Sequence, residues 1–554
     1  MKIIRGKAAS AGLAIGTLLW LERREIQTEK RGVIDPEAEV RRFFAAREKA
    51  IAELIQLEQQ TREKLGEENA LLFEIHRMML LDEDYEDSVC AIIRDAHTGA
   101  EHAVEQTAET FAAGFAAMED AYMQARAADV RDASRGLLEQ LAGGAGDEIL
   151  PEQAGIYAAA DFSPSETARF DRENVWALVT EGGAETGHAA IFARTMGLPA
   201  VMGLGVGLKE WNGAAVIVDG DEGLVITEPD EETLRRYHMR SAAQSAAKLR
   251  LDAVRGVPSI TRDGQRVELC ANIGSVSDAT TALENDAEGV GLFRSEFLYL
   301  QESDYPSEET QYAAYKAVCE KFSPRRVIIR TLDIGADKQA AYFGLEKEEN
   351  PALGYRAIRI CLDRTEVFKT QLRALLRAGA HGRLAIMLPM ITAPWEAEAA
   401  RALLEEAKRE LLAAGKAHAT DVELGIMIET PAAAMVSDKL AKAADFFSVG
   451  TNDLTQYSLA IDRQNSRLGR YLDKHHLGLL RLIRRAADSI HKEGKWIGVC
   501  GELAADKGLT ELFLAMGIDE LSMAPAAILP LRAHIRSLDL TGRREALLEA
   551  LDWD

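Results

Sequence analysis

From about Ile260 to the C-terminus the chain repeats one pattern eight times: a short apolar run followed by helix-like sequence. The runs are Val267–Ala271, Gly289–Phe293, Val327–Ile329, Ala385–Leu388, Leu424–Ile428, Phe446–Val449, Trp496–Val499 and Glu520–Met523. Continuous apolar runs of this length, bounded by turn residues, fit strands buried on both faces. Eight strand–helix units in succession suggest a (β/α)8 barrel; doubly wound open sheets are the alternative and usually have fewer strands. In a barrel the chemistry gathers at the C-terminal strand ends.

The residues just after the runs therefore decide the function. They are Asn272, Arg294, Arg330 with Asp333, Glu429, Asn452 with Asp453, Cys500 with Glu502, and Ser522; Arg463 follows in the loop after the sixth run. Two carboxylates at the ends of successive strands, Glu429 and Asp453, can share one hard cation such as Mg2+. Arg294, Arg330 and Arg463 offer planar forks that match phosphate and carboxylate oxygens. The ligand suggested is small, multiply anionic and phosphorylated. Taken singly, each residue has a plainer explanation: Asp, Asn and Thr cap helices, and a lone arginine often forms a structural salt bridge. Their coincidence at matching strand ends favours a site. Cys500, facing such a site, could give or take a proton; Cys90, Cys270, Cys319 and Cys361 read as small core residues.

The first half of the chain has a different texture. No proline occurs between Pro36 and Pro151, and apolar residues recur at helical spacing (Val40, Phe43, Phe44, Ile51, Leu54, Ile55; then Leu72, Ile75, Met79, Leu80). This predicts an all-helical bundle of roughly four helices. Short strands follow at Ile156–Ala159, Trp176–Thr180, Val216–Asp219 and Leu224–Ile226, forming a small α/β domain that the N-terminal strand segment joins. Domains are expected at 1–21 with 146–228 (α/β), 22–145 (inserted helices), 229–258 (linker helix) and 259–554 (barrel). The linker helix is expected to start at Pro229, with Asp230, Glu231 and Glu232 in its first turn.

Composition narrows the partners. The 65 basic against 89 acidic residues give a formal charge of −24, which argues against nucleic acid or an anionic membrane and leaves room for a basic protein. No apolar stretch reaches membrane-spanning length. Five scattered cysteines without a C-x-x-C pair indicate a reducing compartment, hence a cytoplasmic protein.

In the α/β domain, Gly182–Arg194 reads G-G-A-E-T-G-H-A-A-I-F-A-R. A glycine-rich turn delivers His188 to a helix start, where an imidazole can attack phosphorus and helix N–H groups can hold the phosphate. Thr186 is placed to orient the ring.

Together these segments resemble Enzyme I of the bacterial sugar phosphotransferase system. The likeness spans the chain and is strongest in E-L-C-A-N-I-G (Glu268–Gly274), G-L-F-R-S-E-F (Gly291–Phe297), R-T-L-D-I-G-A-D-K (Arg330–Lys338), E-E-N-P-A-L-G-Y-R-A-I-R (Glu348–Arg359), Glu429, Gly450–Tyr457 and G-K-W-I-G-V-C-G-E (Gly494–Glu502). The resemblance implies phosphoenolpyruvate bound by Arg294, Arg330, Asn452 and Arg463, and Mg2+ (or Mn2+) on Glu429 and Asp453. It also implies phosphorylation of His188, Cys500 as proton donor, and transfer to a histidine-containing phosphocarrier protein on the helical insertion. That carrier surface corresponds to Leu72–Asp87 and Arg126–Asp132, and the barrel is expected to form a homodimer. The sequence departs from the family pattern near the nucleophile, where Ala184, Glu185 and Gly187 replace Gly, Arg and Ser. Further departures are Ala336, Ala524 and Leu472–His476, the last in place of a proline-containing stretch. Two other readings are a pyruvate phosphate dikinase or phosphoenolpyruvate synthase relative, which needs a nucleotide-binding domain not seen here, and a silent regulatory paralogue, motivated by Glu185.

Overall fold

A computed structural model describes residues 1–23, 26–65, 67–118, 121–143, 153–185, 187–335 and 340–552. Thr186 and Ala336 lie outside them. The chain divides into two compact units, Met1–Ser245 and Ala246–Asp554.

The first unit contains an eight-stranded mixed sheet. Its strands are β1 (Lys2–Arg5), β2 (Lys7–Ser10), β3 (Leu13–Trp20), β4 (Gly155–Ala159), β5 (Val175–Thr180), β6 (Ala200–Met202), β7 (Ala215–Asp219) and β8 (Leu224–Thr227), in the order β1-β8-β7-β3-β4-β5-β6-β2. The N-terminal segment thus supplies three strands rather than one. Gly12, at φ +118°, makes the break between β2 and β3, a conformation that a side chain would strain.

Between β3 and β4 the helices α1 (Pro36–Leu65), α2 (Glu67–Leu80), α3 (Glu83–Ala96), α4 (Ala100–Ala116) and α5 (Ala121–Leu141) form the insertion. Among the described residues five helices stand where about four were expected. Asp82 ends the stripe that continued from Leu72: its side chain accepts from the Tyr85 N–H at 3.1 Å, capping α3 as a separate helix. The R-A-A-D-V-R-D motif lies on α5. Asp132 accepts from Ser165 Oγ at 2.8 Å, tying the insertion to the α/β layer. Buried His76 of α2 sits 3.6 Å from Asp129 and 3.7 Å from Asp132. Past α6 (Pro164–Ala168) and α7 (His188–Met196) comes α8 (Glu231–Asp252). Pro229 lies before α8 rather than at its first position; Asp230 caps it, accepting from Thr233 N at 2.8 Å.

The second unit is a closed barrel of eight parallel strands: β9 (Glu268–Ile273), β10 (Val290–Arg294), β11 (Arg326–Arg330), β12 (Arg383–Leu388), β13 (Glu423–Ile428), β14 (Phe446–Gly450), β15 (Trp496–Cys500) and β16 (Glu520–Met523), with β16 paired to β9. Each expected run is a strand, with every end within two residues of the expected one. Leu292, Ile328, Ala385, Met387, Met427, Phe446 and Cys500 fill the interior. At the N-terminal end Phe446 stacks on Trp496 (centroids 4.7 Å apart), and the Arg326 guanidinium lies 4.0 Å from the Trp496 ring. The barrel is a packed core, so only its other end can receive a ligand. All five cysteines are free and buried, and among the described residues no helix is long and apolar enough to cross a membrane.

Candidate active site

A cavity of about 410 Å³ opens at the C-terminal strand ends. Its walls include Arg294, Arg330, Glu429, Asn452, Asp453, Arg463 and Cys500, every barrel residue that the sequence assigned to substrate, metal or proton transfer.

Local structure explains why these side chains face the cavity. The helix Pro431–Met435 is capped by Thr430, which accepts from Ala433 N at 3.1 Å, so Glu429 is not needed as a cap. The helix Thr451–Leu459 starts after Gly450 without a side-chain cap, so neither Asn452 nor Asp453 serves as its cap. The helix-capping explanation therefore fails for both carboxylates. Glu429 is wholly buried and, among the described residues, accepts only from Met390 N, at 2.5 Å, through Oε1. Met390 itself holds a left-handed φ of +59°, backbone strain spent at the site. Among the described residues, Glu429 Oε2 and Asp453 Oδ1 are buried oxygens with no hydrogen-bond partner. Burial, and then the charges of Asp453 and Asp333, push the Glu429 carboxyl well above the usual range, against the pull of Arg330 and Arg356. Two buried carboxylates, each with an oxygen that no hydrogen bond satisfies, are a donor set that a hard divalent cation would suit, so the residues present fit Mg2+ or Mn2+.

The cationic wall is braced from behind. Arg330 is buried, pairs with Glu296 and lies 3.1 Å from Asp333. Asp333 is gripped at 2.8 and 3.0 Å by Arg356, whose other nitrogen reaches the Tyr457 hydroxyl at 3.1 Å. Arg356 and Arg463 each approach Asp453 Oδ1 at 3.8 Å. Arg294, by contrast, is exposed at the end of β10. Cys500 is buried between the barrel interior and the cavity, and burial raises its thiol to about 11, so it is a protonated acid at neutral pH.

Two strand-end residues do not join the site. Asn272 and Ser522 bond each other, Ser522 Oγ donating to Asn272 Oδ1 at 2.6 Å. Asp333 serves the arginines rather than the ligand. Arg356, Glu296 and Met390 belong to the site although the sequence reading did not single them out: Glu296 and Met390 stand two residues past the ends of β10 and β12, whereas the only sequence signal for Arg356 is its place within the Glu348–Arg359 motif.

His188 is exposed, the first residue of α7, after Gly187 at the cap position. It lines a separate cavity of about 940 Å³ within the first unit, with Arg131, Asp132, Arg135 and Asp161 on its walls. Gly183 takes the left-handed position of the loop (φ +85°), and Ala184 stays outside that region, so the Ala184 departure costs no backbone strain. The Glu185 carbonyl accepts from Arg194 Nη1 at 3.0 Å, and its side chain is exposed.

A parallel barrel that gathers arginines around two buried carboxylates, joined to a domain that presents a histidine, is the frame of a phosphoenolpyruvate-utilising enzyme. The family models for such enzymes match along the chain: the PEP-binding domain at residues 248–540, the N-terminal domain at 5–126 and the mobile domain at 151–223. Proteins named phosphoenolpyruvate-protein phosphotransferase from Bacillus sp. (strain S) and Geobacillus stearothermophilus are each 44% identical over 540 residues, 97% of this chain and 93% of theirs. That of Bacillus subtilis (strain 168) is 42% identical over 541 residues, 97% of this chain and 95% of its own. The chain belongs to the phosphoenolpyruvate-protein phosphotransferase (Enzyme I) family.

Proposed function

We infer that the protein moves the phosphoryl group of phosphoenolpyruvate to its own His188 and then to a histidine of a small phosphocarrier protein. The family membership and the cavity that unites Arg294, Arg330, Glu429, Asp453 and Cys500 carry this reading. Neither a dikinase nor a silent paralogue is favoured by any observation.

Arg294, Arg330, Arg463 and Asn452 hold the substrate's phosphate and carboxylate, and Asp333, Glu296 and Arg356 keep the buried part of that wall rigid. Glu429 and Asp453 would hold Mg2+, which when bound neutralises charge on the phosphate oxygens. A ring nitrogen of His188 attacks phosphorus; the bond from phosphorus to the enol oxygen breaks, and the electron pair stays with the enolate. The Cys500 thiol gives its proton to the methylene carbon, yielding pyruvate, and the thiolate recovers a proton from solvent. Its raised pKa keeps that proton in place until the carbanion needs it. His188 belongs to one unit and the cavity to the other, so the two must meet for transfer and part for delivery.

The carrier docks on the helical insertion. There Leu71, Met78 and Leu81 are 47%, 63% and 51% exposed, beside an acidic run from Asp82 to Asp87 that suits a basic partner. Two copies pair through the barrel, which leaves Leu353, Trp395, Leu412 and Met435 more than half exposed. The cytoplasm is the compartment that five unpaired cysteines fit.

A pyruvate assay tests the reading. With phosphoenolpyruvate and Mg2+ alone, one pyruvate per competent chain is expected as a burst; adding a histidine-containing carrier should convert the burst to steady turnover. Pyruvate release without a burst, or a burst that no carrier extends, would contradict it.

A further inference from the structure

Lys474 lines the same cavity as Arg294, Arg330 and Arg463, and the chemistry described above does not use it. It lies in Leu472–His476, the stretch where the sequence leaves the family pattern, on the loop that follows Arg463. Its ammonium pairs with Glu502, a second cavity-lining residue, and both side chains remain about half exposed or more, at 47% and 64%. Glu502 stands two residues beyond Cys500, and its N–H donates to Asn452 Oδ1 at 3.2 Å. The ammonium is therefore held by a residue that touches the substrate-holding amide through its backbone and follows the proton donor by two positions.

We propose that Lys474 is an additional phosphoenolpyruvate-binding residue, stored on Glu502 in the free enzyme and transferred to the anion when it enters. This rests on the phosphoenolpyruvate reading of the cavity. An ammonium suits the exchange: it is a flexible point charge with three donors and no required plane, so it can leave one carboxylate for another anionic oxygen. Solvent screens the Lys474–Glu502 pair in its exposed setting, so little holds it there. A multiply charged substrate set among three arginines offers the stronger partner.

The neighbouring clasp separates contact from anchoring. His475 Nε2 lies 2.6 Å from Asp506 Oδ2, which fastens the same loop to the start of the helix Lys507–Ala515 without lining the cavity. The test is phosphoenolpyruvate-dependent phosphorylation of His188 in full-length wild type, K474M, K474R and D506N, with kcat and KM resolved. K474M should raise KM about ten- to 150-fold, the range for losing one hydrogen bond to a charged group, with kcat changed less than about threefold. K474R should restore most of the affinity, and D506N should leave KM within about twofold of wild type. A K474M KM within about twofold of wild type would overturn the inference, as would a D506N effect as large as that of K474M, which would assign the residue to loop anchoring. Were the wild type itself not phosphorylated, the failure would belong to the underlying reading instead.

Discussion

Replacing Glu429 by glutamine should make the metal-free barrel more stable while destroying the site. Burial beside Asp453 raises the Glu429 carboxyl from 4.5 to about 8, so the folded state holds this proton more tightly than the unfolded chain does. Its stabilisation is complete below pH 4.5 and is lost as pH rises towards 8. Each tenfold gain in proton affinity corresponds to about 1.4 kcal/mol; with relaxation around the ionised pair included, the loss at pH 8.5 is about 2–4 kcal/mol. Glutamine keeps the acceptor for Met390 N and carries no charge. In EDTA at pH 8.5 the barrel transition of E429Q should therefore melt roughly 4–8 °C above wild type, and the two should converge near pH 5. Added Mg2+ should raise the wild-type transition and leave E429Q unmoved. Differential scanning calorimetry from about pH 5 to 8.5 reads all of this. A variant less stable than wild type at alkaline pH without metal, or one that Mg2+ stabilises equally, would refute the account of the two carboxylates.

Other consequences follow from the same geometry. Cys500→Ser should slow pyruvate formation by about 10²–10⁴-fold, measured in the burst assay, since it replaces the proton donor. With its thiol near 11, Cys500 should resist iodoacetamide at neutral pH and react only as the solution becomes strongly alkaline. Met78→Asp should reduce phosphoryl delivery to the carrier at least about tenfold while leaving phosphorylation of His188 unchanged, a split read by comparing the two half-reactions. Although burial opposes it, bonds from Arg373, Lys416 and Arg377 hold the Glu308 carboxyl down to about 2. That stability is present above pH 4.5 and is lost as pH falls towards 2. Glu308→Gln should thus cost about 1–2 kcal/mol at neutral pH, after solvent screening, and almost nothing near pH 2, by urea unfolding.

Much of this arrangement is legible in the sequence because parallel barrel strands are buried on both faces and read as unbroken apolar runs. Phe446–Val449 and Leu424–Ile428 announce themselves, and so do the residues that follow them. What escapes is set by contacts that leave no periodic trace. Asn272 and Ser522 look like cavity residues by position, but adjacent strands bring them to each other. Arg356 follows no strand, so a strand-end rule cannot find it, although it grips Asp333 and approaches Asp453. Strands as short as Ala200–Met202 carry too few residues for a pattern. The division of α2 from α3 rests on a single capping carboxylate, Asp82. Ala184 looks like a lost glycine in the sequence, but the left-handed position belongs to its neighbour, Gly183.

The mechanism stands on His188 taking phosphorus directly from phosphoenolpyruvate bound in the barrel. Intact mass spectrometry of the full-length protein, incubated with phosphoenolpyruvate and Mg2+ and compared with His188→Ala, tests it most directly. The wild type should carry one acid-labile phosphate and the variant none, and the label should be lost when excess pyruvate is added. A wild type that binds phosphoenolpyruvate and stays unmodified, or a variant that is labelled equally, would contradict it.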